Sequence, residues 1–218
     1  MAPPVYVFDA YGTLLDVHSA AAQHSISLGA RWERLSDLWR TKQLEYTWVR
    51  AGAGRTVSFW QITENSLDYA AEVVGGITAE QRADLLGAYR RLDAYAEVAA
   101  TLSTLKEKGA RLAVLSNGDP DMLSEAVKAA GLDGLFDAVL SVTEAGTFKP
   151  HPAVYRLASD HFGVAAQAIT FVSSNRWDVA GAHAFGFRTA WVNRNNRPDE
   201  YAELAPDLII TSLDALLG

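Results

Sequence analysis

The chain has 218 residues, 49% of them hydrophobic, so it is long and apolar enough to bury a substantial core. It carries a net charge of −7 and no cysteine. The acidic balance argues against a nucleic-acid partner, and the lack of cysteine excludes disulfides, thiolate metal sites and cysteine catalysis. No apolar stretch approaches the roughly 20 residues that span a bilayer. The first residues do not have the pattern of a signal peptide, so we expect a cytoplasmic protein without a membrane partner.

The first predicted element is a buried strand, Val5–Phe8, that ends at Asp9. Short runs of β-branched and aromatic residues are typical of strands buried on both faces in parallel sheets. Gly12 and Thr13 predict a tight turn directly after this strand. Because open α/β sheets keep their sites at the carboxyl ends of strands, Asp9 is a candidate nucleophile. The alternative is a strand-end carboxylate that only caps a turn.

The region from 16 to 95 is predicted to be helical throughout. Apolar residues recur at helical spacing around Gln43, which indicates a long amphipathic helix. Thr78 and Gln81 form a capping box at the start of a later helix. Three helices are therefore predicted, over residues 32 to about 50, 58 to about 74 and 78 to about 92.

Strands and helices alternate in the rest of the chain, after a helix that begins near Val98. Asp119 is predicted to cap the helix that follows it. Repeated strand–helix units of this kind indicate an α/β fold with a doubly wound parallel sheet. The predicted domains are an α/β core of residues 1–15 and 96–218 and a helical insertion of residues 16–95. The further strands are predicted at 111–115, 136–140, 169–172, 189–192 and 208–210.

Four short motifs follow one another at strand ends or just before helices, namely Asp9 with Thr13, Ser116 with Asn117, Lys149, and SSNRWD at 173–178. In this order they resemble the haloacid dehalogenase superfamily, and the resemblance covers nearly the whole chain. It implies a Rossmann-like core in which the strand order is third, second, first, fourth, fifth, and in which the helical insertion is a cap. This order brings the ends of the first, second and fourth strands together.

Two departures from the phosphatases of that superfamily are informative. Tyr11 stands where phosphatases carry a second Asp, and the 173–178 motif lacks the acidic pair that holds Mg²⁺, a cation that prefers anionic oxygen ligands. Together with LWRTKQLEY at 38–46, these features resemble the type II 2-haloacid dehalogenases. The resemblance implies hydrolysis of short L-2-haloacids by a homodimer, with inversion, a covalent ester on Asp9, and no metal or other cofactor. The alternatives are a Mg²⁺-dependent phosphatase or phosphonatase and a non-catalytic binder of small anions.

A carboxylate that displaces halide from an anionic substrate needs neighbouring cations, donors for the halide and a base for water. Asp9 is the predicted nucleophile, which Lys149 holds and Thr13 orients. Each other assignment has a structural alternative, such as a solvated helix face, a turn or core packing. The assignments are Asp178 with Asn175 and Ser173 for the water, Ser116 for the substrate carboxylate, Arg40, Asn117 and Trp177 for the halide, and Tyr11, Thr41, Leu44, Phe59, Trp60, Tyr155 and Trp177 for the substrate pocket.

Two further sets of residues receive no role in the predicted site. Three arginines that follow or begin late strands are predicted to be surface charges, namely Arg188, Arg194 and Arg197. The five histidines, at 18, 24, 151, 161 and 183, do not have the spacing of metal ligands.

Overall fold

The computed structural model describes residues 3–218, which contain six strands and nine α-helices. No helix within that range is long and apolar enough to cross a membrane. The strands are β1 (Val5–Phe8), β2 (Arg111–Ser116), β3 (Ala138–Ser141), β4 (Ile169–Ser173), β5 (Arg188–Val192) and β6 (Leu208–Ile210). The α-helices are α1 (Ser19–Gln23), α2 (Ser25–Leu28), α3 (Trp32–Ala53), α4 (Phe59–Val73), α5 (Ala79–Tyr89), α6 (Val98–Glu107), α7 (Pro120–Ala129), α8 (Pro152–Phe162) and α9 (Arg176–Phe185).

All six strands form one parallel sheet in the order β3-β2-β1-β4-β5-β6, which confirms the predicted doubly wound topology. β1 is central, and its Val7 and Phe8 are fully buried, as its continuous apolar pattern indicates. Phe8 pairs with Val114 of β2 and Val172 of β4. The chain that leaves β1 therefore emerges between the ends of β2 and β4, where the predicted motifs meet.

The helical region between β1 and α6 is dominated by α3, which has 22 residues and packs along α4. Leu35, Trp39 and Gln43 lie on its buried face, as the helical periodicity predicts. The helix ends at Gly54, which has the left-handed conformation (φ +62°) that favours glycine at this position. Residues 16–95, all of which the structure describes, contain no β-strand.

Two predicted helix starts have different outcomes. The capping box is present, because Thr78 Oγ1 accepts a bond from Gln81 N and Gln81 Oε1 accepts one from Thr78 N. Asp119 occupies the N-cap position of α7, directly before Pro120, as predicted, but its side chain makes no hydrogen bond to that helix. Its carboxylate instead accepts bonds from the backbone N–H groups of Phe59 (3.1 Å) and Trp60 (2.8 Å), at the start of α4. Asp119 thus joins the loop after β2 to the helical region.

Candidate active site

Asp9 lies at the carboxyl end of β1, and only 5% of it is exposed. Its Oδ2 accepts hydrogen bonds from Thr13 Oγ1 (2.9 Å) and Asn175 Nδ2 (2.8 Å), and Ser173 Oγ lies 3.5 Å away. Its Oδ1 accepts one bond, from Lys149 Nζ, at 3.0 Å. The carboxylate is therefore fixed in orientation, while Oδ1 keeps a lone pair that can attack carbon.

Lys149 joins Asp9 to a second buried carboxylate, because its Nζ also lies 2.8 Å from Asp178 Oδ2. Burial favours the neutral amine, but the carboxylates of Asp178 and Asp9 outweigh burial and raise the pKa of Lys149, which stays an ammonium. Burial raises the pKa of Asp178 to about 6, although Lys149 acts in the opposite direction. Tyr155 lies behind this pair and donates to Asp178 Oδ1 at 2.8 Å. Asp178 is thus placed to accept a proton near neutral pH.

The turn after Asp9 is tied to the loop after β4. The Thr13 hydroxyl accepts a bond from Ser174 N (2.8 Å), and Ser174 Oγ donates to Gly12 O (2.5 Å). Gly12 has a φ of +90°, and a Cβ there would lie 3.4 Å from Ser174 Oγ. Thr13 therefore bonds across the edge of the sheet that is formed by the carboxyl ends of β1, β2 and β4, which we call the sheet edge, rather than to its own turn. The sequence interpretation gave Ser174 no separate role, although its position directly after a strand is the same signal that identifies Asp9.

Arg194 is also part of this edge, and its prediction as a surface charge is wrong. Only 16% of its side chain is exposed, because it pairs with Glu97 and its guanidinium lies 4.0 Å from the ring centroid of Tyr95. Its Nη2 donates to the backbone oxygen of Thr13 at 3.1 Å. Arg188 is exposed, as predicted. Arg194 is the second residue after β5, and its burial depends on side chains far from it in sequence.

The end of β2 supplies Ser116 and Asn117, which are both buried. Ser116 Oγ accepts a bond from Gly118 N (3.2 Å), so its O–H can donate to a substrate oxygen. Asn117 Oδ1 accepts a bond from the backbone N–H of Lys149 (3.0 Å). The amide nitrogen of Asn117 is therefore the atom of this side chain that can donate to a halide.

Arg40 reaches the sheet edge from α3. Its Nη2 donates to Tyr11 O (3.0 Å) and to Asn175 Oδ1 (3.3 Å), so it is not on a solvated helix face. The two buried carboxylates and the lysine carry a formal charge of −1 together. The guanidinium adds the positive charge that an anionic substrate requires at this place.

A cavity of about 530 Å³ opens beside this cluster. Its wall includes Arg40 and Asn175 together with three of the predicted pocket residues, Thr41, Leu44 and Trp177. The indole of Trp177 also packs edge-on against Trp48, with 5.5 Å between ring centroids.

Tyr11 and Phe59 lie in packed surroundings instead. The ring of Tyr11 is 5.7 Å from that of Phe59 and 5.6 Å from that of Tyr89. Its hydroxyl is buried and has no hydrogen-bond partner among the described residues, and burial raises its pKa well above 10. Trp60 packs beneath Arg90. These contacts correspond to the packing alternative, and contact of these rings with substrate stays a prediction.

The side chains at this site offer few ligands for a metal ion. Within residues 3–218, no group of three or more His, Asp or Glu side chains is arranged to hold a metal ion. The ammonium of Lys149 lies between Asp9 and Asp178, the two carboxylates that would otherwise be the ligands of such an ion. The expectation that no metal takes part stays a prediction.

A family model described as haloacid dehalogenase-like hydrolase matches residues 4–186. The chain belongs to this family. Among the curated members, (S)-2-haloacid dehalogenase 1 of Pseudomonas sp. (strain CBS-3) is 46% identical over 197 residues, which cover 90% of this chain and 87% of the relative. The (S)-2-haloacid dehalogenase of Pseudomonas sp. (strain YL) is 44% identical and covers 96% and 91%.

The solved structures of family members agree with the fold described above. The L-2-haloacid dehalogenase from Xanthobacter autotrophicus with chloropropionic acid covalently bound superposes with a TM-score of 0.89 at 39% identity, covering 99% of this chain and 97% of that one. The family resemblance inferred from the four motifs is thus confirmed, together with the α/β sheet.

Proposed function

We propose that this protein hydrolyses short L-2-haloacids to 2-hydroxy acids of inverted configuration, through an ester on Asp9. The observation that carries the proposal is the position of Lys149, whose ammonium joins the carboxylate of Asp9 to that of Asp178 at 3.0 and 2.8 Å. One carboxylate is then available to attack carbon and the other to activate water. The dehalogenase names of relatives at 44–46% identity support the same substrate class.

In the first step, Asp9 Oδ1 attacks C2 of the substrate in line with the carbon–halogen bond. The bond electrons leave with the halide, which receives hydrogen bonds from Arg40 and from the amide nitrogen of Asn117. Ser116 donates to the substrate carboxylate. Attack opposite the halide inverts C2 and gives an ester between C2 and Asp9. Halide is a weak base, so this step needs no proton donor.

In the second step, water attacks the carbonyl carbon of the ester on Asp9. Asp178 accepts the proton of this water, and Asn175 and Ser173 position it. The acyl carbon–oxygen bond of the ester then breaks, and the departing alkoxide takes the proton that Asp178 had accepted. The bond between C2 and oxygen stays intact, so the inverted configuration is kept. The product hydroxyl therefore contains an oxygen of Asp9, while the regenerated carboxylate contains one from water.

The phosphatase alternative needs a proton donor for an alkoxide at the position of Tyr11. That phenol is buried between aromatic rings and its pKa is raised well above 10, so it is a poor donor at neutral pH. The alternative of a non-catalytic anion binder does not explain why Asp9 and Asp178 are both buried, since two negative charges weaken anion binding.

We further infer that residues 16–95 act as a cap on a core of residues 1–15 and 96–218. Arg40 extends from these helices to the sheet edge, and Asp119 of the core bonds the start of α4. A cytoplasmic homodimer completes the proposal. The exposed apolar side chains of Trp48 and Val49 on α3 are compatible with a dimer contact, and the absence of cysteine is compatible with a reducing compartment.

Halide release from L- and D-2-chloropropionate, measured in metal-free buffer with EDTA, tests the proposal. We expect release from the L enantiomer only, with no loss caused by EDTA and no Mg²⁺-dependent hydrolysis of p-nitrophenyl phosphate or an alkyl phosphate. In a single turnover in ¹⁸O-water with enzyme in excess, label should enter Asp9. Label in the product hydroxyl would mean that water attacks C2 directly. Mg²⁺-dependent phosphate release without halide release would favour the phosphatase.

A further inference from the structure

The guanidinium of Arg40 is held from the side opposite the sheet edge by a buried amide. Arg40 Nη1 donates to Gln43 Oε1 at 3.0 Å, while Nη2 contacts Tyr11 O and Asn175 Oδ1. Arg40 and Gln43 are three residues apart on α3, so they share one helix face. Gln43 is 0% exposed. The guanidinium is thus anchored between Gln43 of the helical region and Asn175, which itself donates to Asp9.

Gln43 is in turn fixed by two other helices. Its Oε1 also accepts a bond from the hydroxyl of Tyr89 on α5 (2.9 Å), and its Nε2 donates to Thr63 Oγ1 on α4 (2.8 Å). The Thr63 hydroxyl donates to Phe59 O at 2.8 Å. Burial raises the pKa of Tyr89, so this hydroxyl stays a neutral donor. The chain of bonds therefore joins α3, α4 and α5.

The amide of Gln43 has one orientation that satisfies all these partners. If its oxygen and nitrogen were exchanged, the NH₂ group would face the guanidinium of Arg40, which can only donate, and the hydroxyl of Tyr89 would lose its acceptor. Thr63 would then lose the donor that its oxygen accepts. Burial makes such a mismatch costly, so the network has a single low-energy arrangement.

An amide at this place has a further consequence for charge. A glutamate would bond Arg40 equally well but would neutralise the guanidinium, and the site would again carry a net negative charge next to an anionic substrate. Glutamine supplies the acceptor and leaves the positive charge available. We propose that Gln43, held by Tyr89 and Thr63, is a positioning residue that sets the orientation of the Arg40 guanidinium toward the departing halide without neutralising it.

This role rests on the proposed dehalogenation, and it predicts an effect on one step only. Orientation of Arg40 matters while negative charge develops on the halide, so ester formation should slow and ester hydrolysis should not. Chloride is a smaller and more basic leaving group than iodide, and it depends more on hydrogen-bond donors. If the Arg40 guanidinium is no longer held in place, the rate of ester formation should therefore fall more with 2-chloropropionate than with 2-iodopropionate.

Rapid-quench measurement of both steps in Gln43→Met and Tyr89→Phe tests the proposal. Methionine has a similar length but no acceptor, and the phenylalanine keeps the ring that lies 5.0 Å from Trp39. We expect ester formation from L-2-chloropropionate to fall on the order of 100-fold in Gln43→Met, and less in Tyr89→Phe. The ratio of chloride to iodide rates should fall in both variants, with ester hydrolysis unchanged.

Two further variants separate positioning from general loss of packing. Ser66→Ala on α4 removes another buried hydroxyl, which contacts the backbone oxygens of Ile62 (2.8 Å) and Thr63 (3.0 Å) but no atom of the Thr63 side chain, and it should leave the chloride-to-iodide ratio unchanged. Gln43→Glu keeps the acceptor for Arg40, so this variant should fold. The added negative charge should slow the release of chloride without abolishing it. Equal losses in both steps, or an unchanged ratio in folded Gln43→Met and Tyr89→Phe, would overturn the positioning role. Absence of halide release by the unmodified protein would instead refute the proposed function itself.

Discussion

The sheet edge and the helical region place their functional groups in different ways. At the sheet edge, Asp9, Ser116 and Ser173 end or directly follow strands that are paired in register, so backbone hydrogen bonds fix their positions. In the helical region, Arg40 lies on the surface of a long helix and depends on side-chain bonds to Gln43 and Asn175. The first arrangement is stabilised by the central sheet, whereas the second depends on how helices pack on one another.

This difference predicts how each region tolerates change. A substitution at the sheet edge removes a reacting group but leaves its surroundings in place, because the strands remain paired. A substitution in the helical region can leave every reacting group present and still misplace one of them. A displacement of about 1 Å can lower a rate on the order of 100-fold.

The largest expected effect is beside the sheet edge, in Asp178→Asn, in the first turn of α9 after β4. Asparagine cannot accept the proton of water, so we expect one equivalent of halide to be released and the ester on Asp9 to accumulate. Steady-state turnover should fall by roughly 10²- to 10⁴-fold. Mass spectrometry after rapid quenching would detect the adduct, and the exposed Asp160 on α8 offers a control, Asp160→Asn. Equal loss of ester formation and hydrolysis would indicate that Asp178 only orients Lys149.

The next effect concerns the helical region, in Arg40→Ala. Loss of a donor to developing negative charge costs about 2.7–4 kcal/mol of transition-state stabilisation in comparable sites. We expect halide release to fall accordingly, while circular dichroism and the denaturation midpoint show a folded core. Arg34→Ala, which removes an exposed arginine from the same helix, is the matched control. Unchanged release in the folded variant would exclude Arg40 from the reaction.

A smaller effect follows from pH, through Asp178. Burial raises its pKa to about 6 in the free protein, and the negative charge of Asp9 contributes to that rise. The ester on Asp9 removes this charge, so the pKa of Asp178 falls below 6 in the intermediate. Only the ionised form accepts a proton, so ester hydrolysis should slow about tenfold per pH unit below that lower pKa. The same raised pKa means that the folded protein binds more protons than the unfolded chain between about pH 4 and 6. The contribution of this group to stability therefore falls as pH rises through that window. Rates of ester hydrolysis that stay constant down to about pH 4, the ordinary pKa range of an aspartate, would contradict the assignment.

The smallest effect on turnover is expected in Asp119→Ala, where the two regions are joined, because this substitution acts on stability and not on a reacting group. The carboxylate satisfies two N–H groups at the start of α4, so its loss should lower the free energy of unfolding by about 1–2 kcal/mol. Asp121→Ala removes an exposed acid that pairs with Arg90 and should change it by less than about 1 kcal/mol. Urea denaturation measures both variants. Equal destabilisation would show that Asp119 does not fasten the helices.

The amino-acid sequence is enough to predict the parallel sheet, the strand that ends at Asp9 and the motifs at Ser116, Lys149 and Asp178. Local patterns encode these features, namely apolar runs, turn residues and capping residues. The order of the parallel strands then brings the strand ends together. The helical periodicity that contains Gln43 was equally local, and it is confirmed.

Which side chains meet across the molecule depends on tertiary packing, not on local sequence patterns. Arg40 contacts a residue 135 positions away, Arg194 one 181 positions away, and Asp119 bonds helix α4 about 60 positions earlier instead of its own helix. Gln43 appeared in the sequence only as a member of a buried helix face, and its bonds to Tyr89 and Thr63 depend on the packing of three helices. Hydrogen-bond geometry is satisfied within a few tenths of an ångström, and helix packing sets such distances in ways that periodicity does not encode.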